Sequence, residues 1–121
     1  MLNLTDTQKA YYRLSDVTVF DRKGKEILNP TITEVIWAGS NDQTILVTQG
    51  TVAENGAFTP GTEDAPGVDA EVLAVNPSNI PASVSLRCKA NDVALAGMED
   101  VVVGFSAPGS ASLKASAPVE Q

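Results

Sequence analysis

The chain has no histidine and a single cysteine, Cys88, in 121 residues. These two shortages exclude whole classes of chemistry. A zinc or copper site built on imidazole and thiolate ligands cannot be assembled. Neither can a Ser-His-Asp or Cys-His nucleophile, and no side chain has an ordinary pKa near neutrality. One thiol also forbids an internal disulfide. Aromatics are scarce, with one tryptophan, two tyrosines and three phenylalanines. The core is therefore expected to be aliphatic. Positive charge is scarce too: eight basic side chains face fifteen acidic ones, for a net charge of −7. That disfavours nucleic acid, where phosphates need clustered Lys and Arg. No apolar run is long enough to span a membrane or to form the core of a signal peptide. No Gly-Lys-Ser/Thr phosphate loop is present, although Gly56 and Gly61 bracket Ala-Phe-Thr-Pro.

What the sequence does contain is alternation. Val84-Ser85-Leu86-Arg87-Cys88-Lys89-Ala90 switches between apolar and polar without a miss. Only a half-buried strand puts such residues on opposite faces. Cys88 shares the parity of Val84 and Leu86 and reads as a small buried residue. Similar runs recur, separated by Gly, Pro, Asn and Asp. Strands are expected over 10–20, 31–38, 44–48, 69–75, 82–90, 100–106 and 111–115. Parity shifts near Ser15-Asp16, as at a bulge or a change of sheet. Asn55-Gly56, between Val52 and Phe58, predicts a hairpin with a type I′ turn. Val93 to Met98 has room for one helical turn at most. The expectation is an all-β, antiparallel two-sheet sandwich of about seven strands, with edge strands near the chain ends. Residues 1–9 read as an N-terminal arm, 10–115 as the sandwich and 116–121 as a tail. Leu14, Val19, Trp37, Val84, Leu86, Val101 and Val103 are the expected core, with Phe105 on the face of Val101 and Val103.

Candidate chemistry is thin. Glu63, Asp64 and Asp69 lie near a Pro- and Gly-rich loop, and Glu99-Asp100 begin a strand. A glycosidase needs two carboxyls held roughly 5–10 Å apart in a sugar-binding cleft. Only Phe58 is an aromatic neighbour of these acids in sequence. The same loop acids offer hard oxygen ligands for calcium, but their spacing matches no defined loop. Solvated acids are the expectation, with no catalytic residue, metal or cofactor site. The charge is uneven: residues 1–50 hold five basic and six acidic side chains (net −1), and residues 51–121 hold three and nine (net −6). Arg22, Lys23 and Lys25 make a small basic tip on a turn. Tyr11 and Tyr12 must face opposite ways, one into the core and one outward as a candidate contact residue.

Val35-Ile36-Trp37-Ala38-Gly39-Ser40-Asn41-Asp42, followed by Thr44-Ile45-Leu46-Val47-Thr48, resembles bacterial immunoglobulin-like group 2 domains. In those a strand ends in Trp, a Ser/Asn/Asp turn follows, and a short strand comes next. Leu4-Thr5-Asp6-Thr7-Gln8 and Phe20-Asp21-Arg22-Lys23-Gly24 are similar to small immunoglobulin-like proteins encoded among phage structural genes. Ser83 to Ala90 and Asp100 to Phe105 are similar to their closing strands. The family's small-residue pattern after its fifth strand is replaced here by Pro60 to Gly67. The resemblance implies Trp37 in the core and a non-catalytic module of a virus particle. The implied role is capsid decoration, or a small tail or baseplate module. The implied partners are phage capsid or tail proteins, with self-association open and neither nucleic acid nor membrane involved. The implied location is the virion, after synthesis in the host cytoplasm. The alternative is a carbohydrate- or receptor-binding adhesion module, which is usually one repeat of an exported chain.

Overall fold

The computed structural model describes residues 1–105, 111, 113 and 116–120. Among these residues the protein is all-β, with two four-stranded sheets and one 3-10 turn at Leu14–Asp16. The strands are β1 (Leu2–Thr5), β2 (Lys9–Tyr12), β3 (Ile32–Gly39), β4 (Ile45–Val52), β5 (Phe58–Pro60), β6 (Asp69–Ala74), β7 (Ala82–Ala90) and β8 (Val93–Gly104). One sheet runs β1-β8-β7-β3 and the other β2-β6-β4-β5. Eight strands thus stand where about seven were expected. The expected strand at 111–115, and the Pro108-Gly109 turn before it, fall largely outside the described residues.

β7 carries the alternation through all nine residues, with every even-numbered side chain buried. It faces the second sheet, and Val84, Val101 and Val103 pack with Ile45, Ala70 and Val72 in one aliphatic core. Val19, Trp37, Leu86 and Cys88 are also buried, while Leu14 is only half-buried, on the turn that leaves β2. Burial pushes the Cys88 thiol pKa up, away from reactive thiolate.

Five expectations need correction. Residues 2–5 do not belong to a free arm. Leu2 and Leu4 alternate, and β1 pairs with β8 at Leu2–Val101 and Leu4–Val103. That pair is parallel, so the sandwich is not wholly antiparallel. Val93 to Met98 is strand, not helical turn. Asn91 and Asp92 take φ of 49° and 65°, the pair of positive values a type I′ turn requires, and the chain returns directly along β7. At Asn55-Gly56 only Gly56 has positive φ, and Gly56 N–H donates to Ala53 O, so that hairpin is not type I′. Finally, β8 ends at Gly104 and Phe105 is 83% exposed. The parity break near Ser15-Asp16 is real, and its cause is the 3-10 turn, after which residues 17–20 leave the sheet.

β3 contains the irregularity that seats Trp37. Thr33 pairs with Lys89 but Ile36 pairs with Arg87, so β3 has one extra residue against β7. Glu34 absorbs it with φ +54°, a bulge conformation costly for a side-chain-bearing residue. The extra residue flips the parity. Ile32, Val35 and Trp37 turn inward, and Ile36 is left 56% exposed. This parity predicts that Trp37→Ala lowers unfolding free energy by about 3–5 kcal/mol, while Ile36→Ala costs less than about 1 kcal/mol. Equilibrium urea unfolding measures both.

Candidate functional site

Three polar arrangements are built into the sandwich. The first lies beside Trp37. Gln49 on β4 donates from Nε2 to Val35 O and Gly67 O, both at 2.8 Å, and its Oε1 accepts the Trp37 backbone N–H at 3.2 Å. The Trp37 indole N–H donates to Val68 O at 2.9 Å. One amide side chain therefore satisfies the outer edge of β3 and ties it to the other sheet. All these donors and acceptors are spent on the fold.

The second is Asp69. It is buried, and its two carboxylate oxygens accept the Leu14 and Val52 backbone N–H groups, each at 2.9 Å. Asp69 is thus occupied in anchoring the 3-10 turn to the end of β4. Glu63 and Asp64 are exposed on the loop after β5. Among the described residues no group of three or more acidic, His or Cys side chains is placed to hold a metal ion. The structure does not gather Glu63, Asp64 and Asp69 into a site.

The third is Tyr12 with Glu99. Tyr12 turns inward, stacks on Trp37 with ring centroids 5.4 Å apart, and donates its hydroxyl to Glu99 Oε1. No local pattern signals this pair, because 87 residues separate its members. Glu99 pairs with Val84 across the ladder and so carries an inward parity that its charge conceals. Burial of the ring is the main cause that raises the Tyr12 pKa above its ordinary 10.0, and the Glu99 hydrogen bond adds to it. The chemical consequence is a fixed proton donor, with the tyrosine held neutral. A shallow cleft of about 180 Å³ opens beside the pair between Val17, Leu86 and Met98. Tyr11 faces out, its ring 5.8 Å from that of Phe58 and beneath the Lys9 ammonium.

The basic tip is built differently. Asp21 Oδ1 accepts the N–H groups of Lys23 and Lys25 at 2.8 and 2.9 Å, and Gly24 takes φ +80°. The turn is therefore rigid, while its cations project into solvent. Arg22, Lys23 and Lys25 make no ion pair among the described residues. Phe20 and Leu28 flank them at 56% and 76% exposure. The sequence marked the cations; it did not mark the two apolar side chains beside them.

The chain matches no family model, no curated protein and no solved structure. Among the described residues no helix is long and apolar enough to cross a membrane.

The Tyr12–Glu99 pair yields a pH signature. Folded Tyr12 holds its proton more tightly than the unfolded chain does. Above pH 10 the native state therefore binds more protons, and stability falls as pH rises. Thermal melts of the wild type should show this alkaline loss. In Tyr12→Phe the loss should be smaller, and the variant should be about 1–2 kcal/mol less stable at neutral pH.

Proposed function

We propose that this chain is an immunoglobulin-like module serving as a non-catalytic accessory protein of a phage particle, with capsid decoration as its role. The fold part of this reading is supported by strand order. Taken in chain order, β3-β7-β8 occupy the places of strands C-F-G in an immunoglobulin sandwich, and β2-β6-β4 those of B-E-D. β5 is then an additional short strand beside the D position. The resemblance around Trp37 supports the same reading.

The functional part is carried by the tip at 20–28. It joins three cations without ion-pair partners to exposed Phe20 and Leu28 on a turn held by Asp21. On a chain of net charge −7, this is a local positive, partly apolar surface. It suits an acidic protein surface that offers some apolar area, and a rigid turn loses little entropy on docking. The partner in this reading is a capsid or tail protein, and the chain travels with the virion after synthesis in the host cytoplasm. An adhesion module is the second reading. The half-buried Tyr11–Phe58 ring pair on the outer face favours it, since sugars stack on aromatic faces.

Co-sedimentation with emptied phage heads and with tails tests the proposal. Saturable binding to one of them is expected, and Arg22→Ser/Lys23→Ser/Lys25→Ser should weaken it by about tenfold without moving the unfolding midpoint. Binding to neither particle, or glycan binding abolished by Tyr11→Ala, would overturn it.

A further inference from the structure

We infer that residues 17–30 form a strap that lifts from the inner face of β7 and β8 as one body, uncovering Cys88 while both sheets stay intact. The strap is pinned at its two ends. Before it, Leu14 N–H donates to Asp69 Oδ1 at 2.9 Å. After it, Thr31 N–H donates to Asn91 Oδ1 at 3.0 Å, and Thr31 O accepts the Asn91 N–H at 2.9 Å. Between the pins nothing is tied to a sheet. Among the described residues, the hydrogen bonds of 18–30 all close within the segment: Ile27 N–H to Val19 O, Asp21 N–H to Lys25 O, and the Asp21 bonds that hold the tip. The segment is therefore a small ribbon, rigid in itself, that rests on the sandwich by side chains alone.

Those side chains are few. Among residues 17–30 Val19 alone is buried, Val17, Ile27 and Pro30 are half-buried, and the rest are exposed. Nor do they fill the space beneath them. A cleft of about 240 Å³ lies between residues 17–20 and Leu86, Cys88, Leu95 and Gly97. Gly97 pairs with Leu86 and so shares the inward parity, yet a Cβ added there meets nothing within 4 Å. Dispersion contacts are forfeited across such a gap, so closure of the strap depends mainly on Val19. Opening breaks no ladder bond. A segment with few buried apolar contacts and no bonds to its surroundings lies at the low end of local stability, far below the strands it covers. Cys88 lies beneath it on the buried face of β7 and reports when it lifts. The cationic tip rides at the far turn of the strap, so the motion swings a rigid turn on two fixed pins.

Labelling of Cys88 in the native protein with an aromatic disulfide reagent, at urea concentrations well below the unfolding transition, tests this. The rate divided by that of the unfolded chain gives the open fraction. It should exceed the fraction that global unfolding supplies by at least about tenfold. It should vary little with urea, because lifting the strap exposes little surface. Val19→Ala should raise it by about tenfold, through the buried carbons removed. Ile45→Val, in the core on the other sheet, should lower global stability and leave the labelling rate unchanged. Labelling that follows global unfolding in its urea dependence, or that Ile45→Val accelerates as much as it destabilises the fold, overturns the inference. So does labelling that Val19→Ala leaves unchanged. If Val19→Ala does not fold, the urea dependence of the wild type and the Ile45→Val rate decide.

Discussion

The seat of Trp37 rests on one extra residue in an edge strand. With Glu34 bulged, the indole points between the sheets; without it, Ile36 would point there and the indole would meet solvent. An inward indole brings an N–H that must be satisfied, and an orphaned one would cost about 1–3 kcal/mol. Val68 O meets it. β3 also has backbone groups without a ladder partner; Gln49 meets two of them, Trp37 N–H and Val35 O, from the opposite sheet, and holds Gly67 O with its remaining bond. Bulge, indole and amide form one unit. It joins β3, β4 and the loop before β6.

The remaining polar side chains of the interior serve the same end. Asp69 ties the 3-10 turn to β4, and Tyr12 stacks on Trp37 while holding Glu99. Among the described residues no buried side-chain nitrogen or oxygen is left without a hydrogen bond. Full satisfaction of this kind rigidifies a small core that has few aromatics to fill it. It also directs attention to the surface. The proposed contact, the cationic tip at 20–28, sits where charged side chains are not consumed by the fold.

How much of this was legible in the residues varies with the range of the interaction. β7 could be read to the residue, because both its neighbours in the sheet let it alternate cleanly. Trp37 was placed in the core through resemblance, but the bulge that puts it there has no local signal, since Glu34 is not a residue that favours positive φ. β8 was read only from Asp100 onward. Its first half, Val93 to Met98, is rich in Ala and Gly and shows no strong alternation, and its register comes from β7 and the turn. Residues 1–9 read as an arm because the four residues of β1 carry too little pattern to announce a strand. Asp69, expected as a solvated loop acid, is buried instead, because the two backbone N–H groups it holds come from elements 17 and 55 residues away, beyond any local pattern.

The most direct measurement is amide hydrogen exchange at Trp37 under native conditions. An edge-strand N–H with no ladder partner should exchange quickly. If Gln49 holds that N–H as described, Trp37 will be protected to the level of the β7 amides, and Gln49→Ala will release it while β7 stays protected. Fast exchange at Trp37 in the wild type would contradict the account.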